Sequence, residues 1–255
     1  MRIEPIRAFR DNYIWCLRDA GHAVVVDPGD ARPALEYLSR KNLTLTAILN
    51  THHHADHVGG NRELMQHYRV PVFGPRNEAI ATVTHPVGEG ERVELPEFGI
   101  EFVVIEIPGH TLGHVAYYGA NLLFCGDTLF GCGCGKLFEG SAKQMHESLS
   151  KLAALPPETK VYCGHEYTLA NIAFAKTVEP ENPELLGRER HDREAIDVNR
   201  PTLPSTIATE KATNPFLRCG ERTIAEAASL HAGKELRDPV EVFAEVRGWK
   251  DSFKA

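Results

Sequence analysis

Residues 50 to 60 read NTHHHADHVGG, with four histidines and an aspartate between positions 52 and 57. This cluster constrains the fold more than any other feature. Buried imidazoles and carboxylates each demand a polar partner, so a packed core has little use for five together. A cation, by contrast, takes them as ligands. His52, His54, Asp56 and His57 offer the nitrogen and oxygen donors that zinc, iron and manganese accept. The cluster directly follows the short apolar run Leu45–Leu49, so a strand delivers it into a loop. The same grammar recurs three times. FVVIEI (102–107) runs into Pro108-Gly109-His110, NLLFC (121–125) into Gly126-Asp127, and Lys160–Cys163 into Gly164-His165. Loops held by a rigid sheet are where functional side chains concentrate.

In a tight turn His52 and His54 converge on one cation, while Asp56 and His57 face a second position. Two cations need further ligands, including a bridging carboxylate. The later strand ends supply His110, Asp127 and His165. His53 lies between ligands and points away from them. His114 is a packing or supporting residue. Thr51, Thr111, Thr128 and Asp27 are candidates to orient the ligands by hydrogen bonds.

The remaining text is ordinary for a soluble globular protein: 255 residues, 42% hydrophobic and 25% charged. The net charge of -7 argues against a nucleic-acid partner, which calls for a basic excess. No apolar run approaches the roughly 18 residues of a membrane span, and the N-terminus lacks a secretory apolar core. The six cysteines are scattered and do not form a disulfide framework; Cys132 and Cys134 read as loop cysteines. These features predict a cytoplasmic protein with reduced thiols; oligomeric state is not readable from them, and a monomer is the default expectation. Strands alternate with helical patterns at 32–41, 60–68 and 141–155, which predicts an α/β layered domain. After residue 166 the pattern turns helical, at 167–178, 184–199, 223–230 and 239–248. The expected division is therefore a catalytic domain over 1–166 and a smaller helical domain over 167–255.

THHHADHVGG, followed in order by GHTLGH, GDTLF and GHEYT, resembles the metallo-β-lactamase superfamily. The resemblance implies an αββα sandwich with two metals at one edge of its sheets. It assigns His52, His54 and His110 to the first metal, Asp56, His57 and His165 to the second, and Asp127 to both. Zinc is the first expectation, with iron or manganese as alternatives. The segment GCGKLFEG (133–140), KATNPF (211–216) and RGWKD (247–251) extend the likeness to nearly the whole chain. Together they resemble the glyoxalase II family of hydroxyacylglutathione hydrolases.

That resemblance implies a glutathione thioester as partner, held by Lys136, Tyr167, Arg247 and Lys250. Phe138 stands where some family members carry tyrosine, which removes one hydroxyl from the substrate wall. The implied reaction is hydrolysis of S-D-lactoylglutathione to D-lactate and glutathione, the second step of methylglyoxal detoxification. A water activated by the metals attacks the thioester carbonyl, with Asp56 and Asp127 as the catalytic carboxylates. Alternatives on the same fold are a glutathione persulfide dioxygenase, which needs one iron, and a lactonase or nuclease. A regulatory metal-binding module would lack a ligand, and none is missing.

Overall fold

The computed structural model describes residues 1–254, and their contacts divide them into two units. The first comprises residues 1–106 and 111–126; the second comprises 107–110 and everything from 127 onward.

The first unit opens with a hairpin of β1 (Arg2–Ala8) and β2 (Asn12–Asp19), paired from Arg2↔Arg18 to Ala8↔Asn12. β3 (His22–Val26) continues it antiparallel, and β4 (Thr44–Leu49), β5 (Val72–Pro75) and β6 (His85–Val87) add parallel strands in sequence order. Parallel neighbours need a crossover, and α1 (Ala31–Lys41) supplies it between β3 and β4. Its start is fixed by Asp30, whose side chain accepts from the Arg32 backbone N–H, and its end by Asn42 in the left-handed region. Ala31, Ala34, Tyr37 and Leu38 are its buried residues, spaced along one helical face. They meet Ile14, Val25, Ile48 and Leu64 in one apolar core. Fully burying each such aliphatic side chain stabilises the fold by about 1.5–3 kcal/mol. After β4 come the four-residue helix α2 (Ala55–Val58) and α3 (Asn61–His67). The unit ends in a meander of β7 (Arg92–Leu95), β8 (Ile100–Glu106), β9 (Val115–Gly119) and β10 (Leu122–Gly126).

The second unit begins with the small ribbon β11 (Leu129–Phe130) and β12 (Gly133–Cys134). α4 (Ala142–Ala153) follows, started by a reciprocal capping box between Ser141 and Gln144. β13 (Lys160–Cys163) pairs with β14 (Ser205–Thr206). Helices α5 (Thr168–Val178), α6 (Pro183–Asp197), α7 (Ile207–Thr213), α8 (Arg222–Ala232) and α9 (Pro239–Ser252) complete it. Buried polar groups tie these helices: Arg188 donates to Asp192, Thr213 and Glu210, and Glu179 accepts from Arg218, Thr223 and Asn182. The contact boundary falls earlier than a division at residue 166. The reason is visible in the contacts: β14 pairs with β13, and α4 packs on α9, so segments before 166 share a core with the C-terminal helices. Among the described residues, no helix is long and apolar enough to cross a membrane.

Candidate metal centre

All four predicted strand ends are present: the donors follow β4, β8, β10 and β13. In the first unit the chain leaves β4 through Asn50, Thr51 and His52, all fully buried. Asn50 binds the carbonyl of His57 and exchanges hydrogen bonds with Asn61, which ties the loop to the helices after it. Asp27, at the end of β3, accepts from the Thr51 backbone N–H at 2.8 Å and from its hydroxyl at 2.7 Å. The same carboxylate stands 3.1 Å from His57 Nδ1. Asp27, His52 and His57 lie close enough together to be a ligand triple in their own right. The hydrogen bonds argue otherwise: Asp27 already serves Thr51 twice and His57 once, so its work is to orient. Gly29 makes the approach possible. A Cβ there would fall 1.9 Å from the backbone oxygen of Asp56.

Orientation of the imidazoles is the most informative geometry. A ligand histidine that hydrogen-bonds through Nδ1 carries its proton there and turns the lone pair of Nε2 outward. His57 does this towards Asp27, and His110, in the second unit, towards the Lys136 carbonyl at 2.8 Å. His52 Nδ1 stands 3.0 Å from the Thr51 hydroxyl. The opposite edges meet carboxylates at wider spacing. His57 Nε2 is 3.6 Å from Asp56 Oδ2, while His110 Nε2 and His165 Nε2 are 3.6 Å and 3.2 Å from Asp127 Oδ2. Two donors each about 2.0–2.2 Å from one tetrahedral cation stand roughly 3.3–3.6 Å apart. The donor types and these spacings fit ligands of divalent cations, in the first unit for His57 with Asp56 and in the second for His110 and His165 with Asp127.

The supporting residues divide by what they touch. His53 turns to Glu78, whose other oxygen accepts from Thr111. His114 stacks on His52 with ring centroids 4.6 Å apart, and its Nδ1 meets the Val115 carbonyl. Thr111 thus serves Glu78, and the Thr128 hydroxyl makes no hydrogen bond among the described residues. Asn12 was not foreseen. Its side chain is buried and donates to both the carboxylate and the carbonyl of Asp56. No motif marks a lone asparagine forty-four positions away; only the tertiary contact reveals it.

The second unit gathers the expected substrate residues on its own surface and interior. Exposed Lys136 places its ammonium 5.6 Å from the Phe138 ring centroid, and Phe138 meets the His110 ring edge-on at 5.2 Å. Phe138 is 62% exposed. Tyr167 lies parallel to His165 with centroids 4.7 Å apart. Arg247 is buried: it donates to the Cys134 carbonyl and to Asp251, and its guanidinium lies over the Phe216 ring. Lys250 is half-buried, donates to the Ala170 carbonyl, and faces the Phe174 and Phe253 rings. Burial first, and then the neighbouring Arg247 charge, pull its pKa down to about 8. The six cysteines are free and buried. Burial pushes Cys16 and Cys132 up to about 12, which leaves inert thiols and no candidate nucleophile among these two.

The comparisons with known proteins agree with one another. A family model described as "Metallo-beta-lactamase superfamily" matches residues 8–165, and one described as "Hydroxyacylglutathione hydrolase C-terminus" matches 166–253. A curated protein of Nitrosomonas eutropha named hydroxyacylglutathione hydrolase is 56% identical over 250 residues, covering 98% of both chains. Among solved structures, the BLEG-1 B3 metallo-beta-lactamase aligns with a TM-score of 0.63 at 24% identity, covering 85% of this chain and 98% of its own. TTHA1623, solved in a di-iron-bound form, aligns with a TM-score of 0.53 at 30% identity, covering 65% of this chain and 92% of its own.

Proposed function

The chain belongs to the hydroxyacylglutathione hydrolase family, on the metallo-β-lactamase fold, and from that premise we propose a specific reaction and division of labour for its residues. It is a thioester hydrolase acting on hydroxyacylglutathiones. Its substrate is S-D-lactoylglutathione, and its products are D-lactate and glutathione. The single observation that carries the reading is the donor set: imidazoles locked through Nδ1, with Nε2 edges spaced from carboxylates as ligands of one cation are.

The metals are zinc, or iron or manganese where supply favours them. His52, His54 and His110 would hold one, Asp56, His57 and His165 the other, and Asp127 would serve both. When bound, such cations lower the pKa of water from about 15.7 towards 7 and polarise the carbonyl it attacks. The protein's own contribution is orientation. Asp27 fixes the tautomer of His57, and the Lys136 carbonyl fixes that of His110. Asp56 and Asp127 are the catalytic carboxylates, and Asp56, with its side chain 43% exposed, would accept a proton from the attacking water. A thiol with a pKa near 8.5 leaves as thiolate, so the reaction needs no general acid. An amide would need one.

Glutathione is held by Lys136, Phe138, Tyr167, Arg247 and Lys250. Ammonium and guanidinium groups suit its two carboxylates. Lys136 acts from the surface, whereas Arg247 acts from beneath by holding Cys134 and the loop after it. In functional terms residues 1–166 carry the chemistry and contribute Lys136 and Phe138 to the substrate wall, and 167–255 form the glutathione-binding domain. The enzyme works as a monomer in the cytoplasm, where its thiols stay reduced. The test is hydrolysis of S-D-lactoylglutathione, followed at the thioester absorbance with and without chelator. Turnover that chelation abolishes and added zinc restores supports the reading; metal-loaded protein without turnover defeats it.

A further inference from the structure

We infer that Asn12 is a positioning residue for Asp56, setting the second cation's carboxylate ligand from the tip of the N-terminal hairpin. Asn12 opens β2 opposite Ala8, closing a three-residue turn of Phe9, Arg10 and Asp11. Phe9 sits in the left-handed backbone region at φ 49°, which a bulky residue adopts only when its surroundings demand it. The turn leaves the Phe9 ring in solvent and the Asn12 carboxamide inside, 7% exposed. Its Nδ2 lies 3.0 Å from Asp56 Oδ2 and 3.3 Å from the Asp56 backbone oxygen. Both partners are acceptors, so the amide must present its NH2 group to them.

One planar group therefore grips the main chain and the side chain of the same residue. That fixes the Asp56 rotamer as well as its position. The need for such a grip is local. Asp56 stands in the first turn of α2, a four-residue helix whose N-cap, His54, makes no side-chain capping bond. Its side chain is 43% exposed. The oxygen that Asn12 holds is the one 3.6 Å from His57 Nε2, the spacing of two donors on one cation. Holding Oδ2 therefore holds that spacing.

This inference rests on the metal assignment above, so the test reads metal binding rather than turnover. Zinc affinity is measured by competition with a chromophoric chelator, and stoichiometry by elemental analysis, on the full chain. Two variants are used. Asn12→Ala removes the side chain; Asn12→Asp keeps its size but replaces the donor with an acceptor. A group that orients a ligand is worth 10–100-fold in metal affinity. We expect both variants to weaken one of the two cations by 10–100-fold and to leave the other within a few-fold. On an Asp56→Asn background the further change to Ala at position 12 is expected to add little, because Asn12 acts through the missing carboxylate. Wild-type affinity for both cations in the two variants would overturn the inference, as would full additivity with Asp56→Asn. A wild-type chain that takes up no zinc would bring down the metal assignment itself. Two cations in wild type, bound with unchanged affinity in both variants, would bring down only the role of Asn12.

Discussion

At the scale of single residues, Phe138 and Lys250 lend themselves to direct tests. Phe138 offers an exposed ring beside Lys136 but no hydroxyl. Restoring one hydrogen bond is worth about 0.5–1.5 kcal/mol net. Phe138→Tyr is expected to lower KM for S-D-lactoylglutathione by a few-fold and leave kcat nearly unchanged; steady-state kinetics with an unaltered KM would sink that expectation. Lys250 makes a pH-dependent claim. Its native pKa lies near 8, against about 10.4 for an unfolded lysine. Between those values the unfolded chain keeps a proton that the native one has shed, so stability gains with pH across that window. Below pH 8 the burial cost of the charge is paid in full. Urea melts of wild type and Lys250→Met at pH 7 and pH 9.5 are expected to show the wild type gaining relative to the variant as pH rises. A constant difference between the two chains would refute the burial account.

The proposed metal ligands are legible in the text because they are polar donors stranded at the ends of apolar runs. His52, His110, Asp127 and His165 need only strand periodicity and a glycine or threonine to be found. Asp27 was legible too, as a carboxylate at a strand end. Asn12 and Glu78 were not, since their roles are made by contacts with Asp56, His53 and Thr111 across the fold.

At the scale of elements, the helices declared themselves well. The pattern at 141–155 became α4 with Ser141 as its cap, and that at 32–41 became α1. The strands were read unevenly. β1 carries Pro5 and alternates charge with burial weakly, and β6 is three residues long. Such strands exist because a neighbour offers hydrogen bonds, which local sequence does not record. α2 was also hidden: four residues are too few to show a helical period. The small ribbon of β11 and β12 carries a sharper test. A Cβ on Gly135 would lie 1.9 Å from the Asp127 carbonyl oxygen and 3.2 Å from His110 Nδ1. Neither backbone nor ligand ring can yield cheaply. Gly135→Ala is expected to cost about 1–3 kcal/mol as overpacking and to lower metal content by displacing Asp127 and His110. Thermal melts and elemental analysis check the two effects separately, and a variant with wild-type Tm and two cations would contradict the close approach.

At the scale of the whole molecule, the proposed ligands span the chain from residue 52 to residue 165. An unfolded chain cannot hold such separated donors around one cation without a large loss of entropy, so metal binds the native state almost alone. Binding is then a contribution to stability. For one site with free cation at 100 times its Kd, the linkage amounts to about 2.7 kcal/mol. In a chain of this size, 1 kcal/mol moves Tm by roughly 2–4 °C. Removing a cation held at that level is therefore expected to lower Tm by roughly 5–10 °C, and removing two by more. The fall should be reversible on adding zinc and should grow with the zinc concentration of the reference sample, as mass action requires. The overall charge of -7 adds to it, because stripping divalent cations leaves Asp56 and Asp127 without their counter-charge in an already acidic chain. Calorimetry on chelated, zinc-loaded and reconstituted protein tests this. Superimposable melts for the chelated and zinc-loaded samples would mean that the donor set does not bind cations as a property of the fold, and would remove the physical basis for metal-assisted thioester hydrolysis in this chain.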